Sequence, residues 1–599
     1  MYDNSRPVLG IVKSANQCVW KERLDTAGLG RAEAINRNFD ISDILSRVLA
    51  AKDIDPDKAN AYLDPSMRDL MPDPSSLTDM DNAVERLSRA INDNEKIAIF
   101  GDYDVDGATS SALMHLFLKS CDIQSTIYIP DRIYDGYGPN IKAMDLLIDQ
   151  GHTLILTLDC GSTSFEALKH TSSRKIDVVV LDHHQVGEEL PECCALVNPN
   201  RQDDLSGLGY CAAVGVVFMT IVALNRHLRK TGFWNNRSAP DLLSWLDLVA
   251  LGTVADVVPL TGLNRAFVHK GLIAIRGRTN PGLAALQTVA RLSGPAAAYH
   301  LGFLLGPRIN AGGRIGDAAL GARLLTTTSP EDATRIAAEL DVLNQQRQQK
   351  EAIMLEEATE LAERQIIEQA DTPVLIVSGE EWHPGIVGLL ASRLKEKFKR
   401  PSIAFSINAD NTATGSGRSI PGIDLGACIR QAVDENILVK GGGHAMAAGM
   451  TISVGQIATL RSFLENALHS DVARMNKNPE LRIDAPLTAS GATEELIQDL
   501  EKAGPYGSGQ PDPIFVFPSH NLRFVDTVGN GHIRCSLSDG MGKTIKGIAF
   551  RAAEEPLGKL MLGSRMENLH VAGSLSLNYW RGKPEVQLRI VDAAKPLRN

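Results

Sequence analysis

The length, composition and charge of this chain exclude several broad classes of protein. Its 599 residues exceed what one hydrophobic core can organise, so we expect three or four domains. Hydrophobic residues make up 44% and charged residues 22% of the chain, and no apolar run is long enough to cross a bilayer. The net charge of −11 excludes a surface that is basic throughout, although it is compatible with a basic channel inside an acidic shell.

The cysteines and the first residues indicate a cytoplasmic protein. The eight cysteines include no Cys-x-x-Cys pair, and Cys193 and Cys194 are adjacent. This spacing suits neither a zinc site nor a disulfide framework, so we expect reduced thiols. The chain starts without the basic and apolar pattern of a signal peptide.

The first part of the chain predicts an N-terminal segment followed by an α/β domain. Residues 1–70 are expected to be helical and irregular, with no legible chemistry. Within 71–325, short apolar runs at 97–100, 154–158 and 178–181 predict buried strands that alternate with helices. Such a pattern is typical of an open parallel sheet, which binds its ligands at the carboxyl ends of the strands.

Acidic residues follow these apolar runs. Asp102, Asp104 and Asp106 alternate between Gly101 and Gly107, so an extended loop can direct several carboxylates to one point. An Asx-rich turn before a helix is the alternative for this segment alone. Further candidates come after the later runs and are Asp159, Asp182-His183-His184 and Asp256.

The histidine pair and the lone Asp256 strengthen the case for a metal site. Adjacent histidines cannot both point into a core, and imidazole is a common ligand of transition metals, although a surface pair is the alternative. Asp256 lies in a nearly uncharged segment, where it needs a cation, a donor network or an N-cap role. Oxygen and nitrogen ligands without thiolate favour Mn²⁺ or Mg²⁺, and the histidines favour Mn²⁺.

The rest of the chain predicts a long helix, a second α/β domain and a barrel. Ser329-Pro330 starts a helix that continues to about Gln369 and spans roughly 60 Å. This helix makes 326–370 a connecting unit. A smaller α/β domain follows at 371–475, with strands at 373–377 and 402–405 around a helix at 386–397. Alternating patterns at 532–537 and 585–590 predict a small β-barrel within 476–599.

Glycine-rich segments in these later regions suggest phosphate binding. In loops, side chains and backbone amides can reach a phosphate together, whereas an ordinary turn is the alternative for each segment. The candidates are Arg308, Asn310, Arg314, Ser416, Arg418, Gly441, Gly442, Gly443 and His444. On the last strands, Tyr579-Trp580-Arg581 could stack on bases, with packing as the alternative.

Taken in order, the acidic clusters resemble the four motifs of the DHH phosphoesterases. These motifs are GDYDVDG at 101–107, Asp159, Asp182-His183-His184 and Asp256. Segments at 136–138, 305–310, 382–388, 441–444 and 504–507 are similar to the RecJ exonuclease branch. Phe100 also favours that branch, because phosphatase relatives carry a histidine ahead of the first acidic pair.

The resemblance implies a fold and a set of site residues. The expected fold class is α/β, with a parallel-sheet DHH domain joined by the long helix to a smaller DHHA1 domain, plus a C-terminal OB-fold barrel. The implied ligands of two Mn²⁺ or Mg²⁺ ions are Asp104, Asp106, Asp159, His183 and Asp256. His184 would contact the scissile phosphate and Asp102 would support catalysis. The implied strand path includes Arg132, Arg308, Arg418 and the segment from Gly441 to His444.

The resemblance also implies a function. It is single-stranded-DNA-specific exonuclease activity, 5′ to 3′, releasing mononucleotides by two-metal phosphodiester hydrolysis in DNA recombination and repair. The implied partners are single-stranded DNA, a helicase and a single-strand-binding protein, with no membrane and a monomeric state. Two alternatives stay open: a phosphodiesterase for short RNA or cyclic dinucleotides, which needs neither barrel nor long helix, and a non-catalytic DNA clamp.

Overall fold

The computed structural model describes residues 7–131, 135–136, 138–475, 479–580 and 583–597. The first part of the chain contains one short strand and five helices, linked by turns. They are β1 (Val19–Glu22), α1 (Thr26–Phe39), α2 (Asp43–Ala50), α3 (Ala59–Leu63), α4 (Met67–Leu70) and α5 (Met80–Asn92).

A parallel sheet forms the centre of the first α/β domain. Its elements are β2 (Ile97–Gly101), α6 (Val105–Ser120), β3 (Ser125–Tyr128), α7 (Ile141–Asp149), β4 (Leu154–Leu158), α8 (Phe165–Ser173), β5 (Asp177–Leu181) and β6 (Ala195–Val197). The strand order is β3-β2-β4-β5-β6. Gly101 is opposite Leu158 and Leu158 is opposite Leu181, so β2, β4 and β5 end at one level.

Helices complete this domain beside the sheet. They are α9 (Ala213–Lys230), α10 (Leu246–Ala255), α11 (Gly262–Arg276), α12 (Pro281–Val289), α13 (Ala298–His300), a π-helical turn (Leu301–Leu305), α14 (Gly306–Ile315) and α15 (Leu320–Thr326). Apart from the buried Asp247 in its first turn, α10 carries no charged residue, and it lies against α6, where a Cβ on Gly252 would be 2.3 Å from the Thr109 hydroxyl. This close approach brings the end of α10 to the start of α6.

A long helix leads into the second α/β domain. It is α16 (Pro330–Glu368), capped by Ser329, which accepts a hydrogen bond from Asp332 N at 3.1 Å. The domain contains β7 (Leu375–Gly379), α17 (Val387–Phe398), β8 (Ser402–Ile407), β9 (Thr412–Arg418), α18 (Leu425–Asp434), β10 (Lys440–His444), β11 (Ala447–Ser453) and α19 (Ile457–Met475). The sheet order β10-β11-β9-β8-β7 makes β10 an edge strand.

The last part of the chain is a closed β-barrel. Its elements are β12 (Glu480–Ile483), β13 (Ala485–Pro486), α20 (Glu494–Lys502), β14 (Phe515–Val528), β15 (His532–Ser538), β16 (Thr544–Ala549), α21 (Pro556–Leu562), β17 (Asn568–Trp580) and β18 (Lys583–Ala594). β14 pairs with both β15 and β17, which closes the order β14-β15-β16-β18-β17. The predicted fold class, with its long helix and barrel, is confirmed.

The N-terminal segment packs on this barrel, which the sequence did not predict. β1 pairs in parallel with β12, and Trp20 Nε1 donates to Asp592 Oδ2 at 2.9 Å. Leu45 and Leu49 are buried in the same core as the barrel residue Phe515. The segment therefore shares a hydrophobic core with the C-terminal domain.

Two further expectations concern the surroundings of the protein. No helix among the described residues has the length and apolar character needed to span a membrane. All eight cysteines lie in described parts of the chain and are free thiols, including the neighbours Cys193 and Cys194.

Candidate functional site

The acidic clusters meet at the carboxyl edge of the parallel sheet. The loop after β2 carries Asp102 and Asp104, the first turn of α6 carries Asp106, and the loops after β4 and β5 carry Asp159 and Asp182–His184. Asp104 caps α6 by accepting from Gly107 N at 3.1 Å. A Cβ on Gly107 would lie 2.3 Å from the Asp102 carbonyl oxygen, so glycine is needed for the loop to fold back on its own helix.

Asp256 reaches the same point from a helix. The sequence pattern places Asp256 with the carboxylates that follow strands. The apolar run ahead of it instead forms α10, and Asp256 is the residue that ends this helix. The run is buried on all sides, and a strand and a helix that are both fully buried have the same apolar sequence. The end of α10 therefore completes a site whose other members come from strand ends.

The side chains form three overlapping groups in which all ligand atoms lie within 4.8 Å of one another. The groups are Asp106–His183–Asp256, Asp159–His183–His184 and Asp102–Asp104–Asp159. His183 Nε2 is 3.3 Å from Asp159 Oδ1, 3.6 Å from Asp256 Oδ2 and 3.9 Å from Asp106 Oδ2. Asp102 thus offers an oxygen within 4.8 Å of those of Asp104 and Asp159, two of the predicted ligands.

Hydrogen bonds hold His183 and Asp106 in position. His183 Nδ1 is 3.1 Å from the Cys211 carbonyl, which can only accept, so the Nε2 lone pair points into the cluster. Asp106 accepts from the amides of Ala213 and Val214, the first residues of α9, at 2.7 and 2.9 Å. Both side chains are therefore oriented before any ligand binds.

Burial and mutual repulsion disfavour the charged forms of the central carboxylates. Burial, and then the charge of Asp104, raises the pKa of Asp106 to about 7. Burial, and then the charge of Asp106, raises the pKa values of both Asp159 and Asp256 well above the usual range. Within the described chain, the buried atoms His183 Nε2 and Asp256 Oδ2 make no hydrogen bond. This donor set fits divalent cations.

His184 differs from its neighbour because it is paired with Asp182. Its Nδ1 lies 2.7 Å from Asp182 Oδ1. Burial alone would lower the pKa of His184, but this hydrogen bond and the Asp182 charge raise it to about 9. Burial opposes the effect on Asp182, yet the same bond holds the pKa of that carboxyl well below its usual range. His184 is therefore a partly exposed imidazolium at the edge of the cluster.

Sequence reasoning missed two asparagines that fix the histidine loop. Asn198 Nδ2 donates to the His184 carbonyl at 2.9 Å, and Asn200 Nδ2 donates to the His183 carbonyl. The sequence feature that could have indicated them is Asn-Pro-Asn directly after β6, at the same edge of the sheet.

The predicted phosphate-binding residues fall into two sets. On α14, Arg308 pairs with Asp341 at 2.8 Å, and Arg314 Nη1 donates to the Gly385 carbonyl at 2.7 Å. On β9, Arg418 Nη1 donates to Ser416 Oγ at 2.9 Å. Asn310 is a half-buried residue of α14. Arg132 is outside the described residues.

The three glycine-rich segments that were expected in loops or turns all have regular structure, and the one at 415–418 belongs to β9. Residues 306–314 belong to α14, because Pro307 starts a helix and Gly313 allows it to touch the Tyr103 carbonyl. Gly441, Gly442, Gly443 and His444 lie on β10, paired with β11. Burial, and then the charge of His184, lowers the pKa of His444 at the end of this edge strand.

Tyr579 on β17 has a packing role. A Cβ on Gly294 would lie 2.5 Å from the Tyr579 ring, so the ring packs closely on the first domain. The side chain of Trp580, and Arg581 as a whole, are outside the described residues. Packing is therefore the observed role of the described ring in this motif.

Comparisons with known proteins agree with this architecture. Residues 96–253 match the DHH family N-terminal domain, residues 371–470 the DHHA1 domain, and residues 483–592 the RecJ OB domain. A protein named single-stranded-DNA-specific exonuclease RecJ, from Salmonella typhimurium, is 36% identical over 93% of this chain and 96% of its own length.

Solved structures of Thermus thermophilus RecJ also match. The complex with Mn²⁺ superposes with a TM-score of 0.76 at 26% identity, covering 95% of this chain and 78% of that one. The complex with Mg²⁺ gives a TM-score of 0.70 over 95% and 77% of the two chains. Both structures contain a divalent cation of the kind that the acidic cluster of this chain fits.

Proposed function

Because the chain belongs to the RecJ family of single-stranded-DNA-specific exonucleases, we propose that it removes nucleotides from the 5′ end of single-stranded DNA. The products are mononucleotides, released by metal-dependent hydrolysis of phosphodiester bonds. The observation that carries the proposal is the convergence of buried carboxylates and His183 at one sheet edge. The clamp alternative has no support, because such a protein needs no assembled ligand set.

The proposed metal ligands are four carboxylates of the cluster and His183. Asp104, Asp106, Asp159, His183 and Asp256 would hold two Mn²⁺ or Mg²⁺ ions, with Asp102 beside them. When bound, such a pair activates water and stabilises the attacking and leaving oxygens at phosphorus. The chain contributes fixed ligands, since Asp106 and His183 are already oriented by backbone groups.

His184 and the second domain would position the DNA. The His184 imidazolium donates to an oxygen of the scissile phosphate, while Asp182 keeps it protonated. Arg314, Ser416 and Arg418 would hold the terminal phosphate, and the backbone of Gly441–Gly443 and His444 would line the opposite wall. Arg132 and Asn310 remain proposed strand contacts. Arg308 would act indirectly, because its guanidinium ties α14 to Asp341 of α16.

The cellular setting follows the same proposal. A nuclease specific for single strands needs unwound DNA, so a helicase and a single-strand-binding protein are the proposed partners in recombination and repair. All the proposed metal ligands and strand contacts come from one chain, so we propose a monomer that acts in the cytoplasm. We propose that the chain is divided into five structural units, which are 1–70, 71–325, 326–370, 371–475 and 476–599.

The test follows release from 5′-labelled and 3′-labelled single-stranded DNA with Mn²⁺, Mg²⁺ or EDTA, beside Asp159→Ala. We expect early release of the 5′ label as mononucleotide, and no release with EDTA or in the variant. Early release of the 3′ label would contradict the polarity. Binding without release under either metal would replace the nuclease with the clamp. Faster turnover of a dinucleotide than of a long strand would favour the phosphodiesterase alternative.

A further inference from the structure

Two exposed aromatic rings are stacked on the first domain, outside the cluster described above. Tyr299 on α13 and Phe303 on the π-helical turn have ring centroids 4.9 Å apart and an interplanar angle of 23°. Phe303 is 69% exposed and Tyr299 is 46% exposed. Large apolar rings that stay exposed while stacked on each other mark a surface for a ligand rather than a core.

Side chains of the barrel extend this pair of stacked rings. The Arg589 guanidinium on β18 lies 5.3 Å from the Tyr299 ring and 5.4 Å from the ring of Phe550, which is 50% exposed. His532 then meets Phe550 edge-on with centroids 5.3 Å apart. We name this set the aromatic row: Phe303, Tyr299, Arg589, Phe550 and His532.

The aromatic row starts beside the carboxyl edge of the parallel sheet, where the acidic cluster lies. A Cβ on Gly302 would touch Val254 at 3.4 Å, and one on Gly306 would touch Ala255 at the same distance. Val254 and Ala255 form the last turn of α10, directly before Asp256. A strand whose phosphate lies at Asp256 can therefore continue along Phe303 and Tyr299 towards the barrel.

The chemistry of the row fits unpaired bases. Aromatic rings interleaved with arginine bind single strands by stacking, which tolerates any sequence because every base has a π-face. Arg589 forms no salt bridge with any described residue, and the acidic group that its charge acts on is Asp512, beyond salt-bridge distance, so the guanidinium can also pair with a phosphate. Tyr579 shows the contrast, since that ring is packed closely on Gly294 and carries the contact between barrel and first domain.

We propose that the aromatic row is a base-stacking track that binds the single-stranded DNA downstream of the scissile phosphate. It would guide the strand from the barrel to the acidic cluster. This inference rests on the proposed function for the identity of the ligand. Tyr299 and Phe303 are positioning residues in it, because they touch the substrate away from the reacting atoms. A second copy of the chain on the same rings is the competing occupant.

The test is an abasic scan combined with variants. Binding of 5′-phosphorylated oligo-dT of about twelve nucleotides is measured in EDTA, with one abasic site moved along the strand. We expect wild-type protein to lose about tenfold in affinity at a few adjacent positions. Phe303→Ala and Tyr299→Ala should bind intact DNA about tenfold more weakly, with little further loss at those positions. Tyr299→Phe keeps the ring and should match wild type.

The control is Leu205→Ala, which removes an apolar side chain that is 93% exposed elsewhere. It should behave as wild type does. Equal affinity of wild type for every abasic strand would overturn the proposal, as would a Phe303→Ala variant with the full abasic sensitivity. A change of oligomeric state on Phe303→Ala, without loss of DNA affinity, would assign the rings to a second copy. Mn²⁺-dependent release by wild type on the same strands is scored separately, because its absence would overturn the nuclease and leave the binding result intact.

Discussion

The two ends of the parallel sheet in the first domain bury charge in opposite ways. At the amino end, the buried Arg86 donates to both oxygens of Glu95 at 2.9 and 2.8 Å and to Asp177 at 2.5 Å. At the carboxyl end, Asp106, Asp159 and Asp256 crowd around His183, and the ion-pair distances among these described residues join carboxylates to histidine. One end pairs its carboxylates with an arginine, and the other gathers carboxylates and a histidine into a donor set that fits a divalent cation.

The pKa directions at the two ends express this difference. Burial opposes ionisation of Glu95, but its hydrogen bonds with Arg86 hold its pKa below the usual range. Burial and carboxylate repulsion raise the pKa values of Asp159 and Asp256. Buried charge alone therefore does not mark a functional site in this fold. A cluster of buried carboxylates does mark one, because a bound cation offsets the unfavourable free energy of burying like charges together.

The largest expected effect separates the two ends by activity. Asp159→Asn should lower nucleotide release about a thousandfold, because a group that stabilises developing charge is lost. Glu95→Gln changes a carboxylate of the same sheet in the same way and should stay within about twofold of wild type. A labelled single strand with Mn²⁺ provides the measurement. Similar losses in both variants would remove the functional distinction between the ends.

The next effect concerns stability at the amino end. Arg86→Met leaves Glu95 and Asp177 without their cation and should lower the free energy of unfolding by about 2 to 3 kcal/mol. Arg89→Met on the same helix, at an exposed position, should change it by less than about 0.5 kcal/mol. Denaturant unfolding monitored for the first domain compares the two variants. Equal stability of both would show that the Arg86 pairs contribute nothing.

A comparable effect is expected at the carboxyl end when metal is added. Mn²⁺ at a hundredfold excess over its Kd should stabilise the protein by about 2.7 kcal/mol. Asp159→Asn should lose most of this gain, whereas Glu95→Gln should keep it. Melting temperatures with Mn²⁺ and with EDTA give the comparison. A gain that persists in Asp159→Asn would place the ions elsewhere.

The last effect is the pH dependence of the metal-free protein. A carboxyl with a raised folded pKa binds its proton more tightly in the folded state, so its contribution to stability is lost as pH rises through that pKa. In EDTA, stability should fall between about pH 4 and pH 7, the range set by Asp106. Mn²⁺ should remove the fall. Glu95 has the opposite sign and loses its contribution as pH drops below about 4. Stability that rises with pH in EDTA would refute the carboxylate repulsion.

The sequence predicted the sheet edge well because strand ends are local features. An apolar run of four or five residues, followed by Asp, places that carboxylate at one level with its neighbours once the strands pair in parallel. The helix before Asp256 and the helix through Gly306 were not predictable in this way. α10 has no polar face to set a period, and Gly313 of α14 serves close packing on Tyr103.

Contacts between distant segments were also beyond sequence reasoning. Asn198 and Asn200 matter only because β6 lies beside β5. The aromatic row joins residues near 300 to residues near 550 and 590, and no local pattern links them. The packing of β1 on β12 depends in the same way on strands from opposite ends of the chain.

That last pairing has a consequence for biosynthesis. Val19 pairs with Glu480, so the first strand has no partner until more than four hundred further residues have been made. At the usual 5–20 residues per second, this wait lasts roughly 20 to 90 seconds. The ribosome thus exposes an unpaired strand and the apolar faces of α1 and α2 while the first domain folds. Chaperones that bind nascent chains should therefore engage the N-terminal segment and leave only when the barrel emerges.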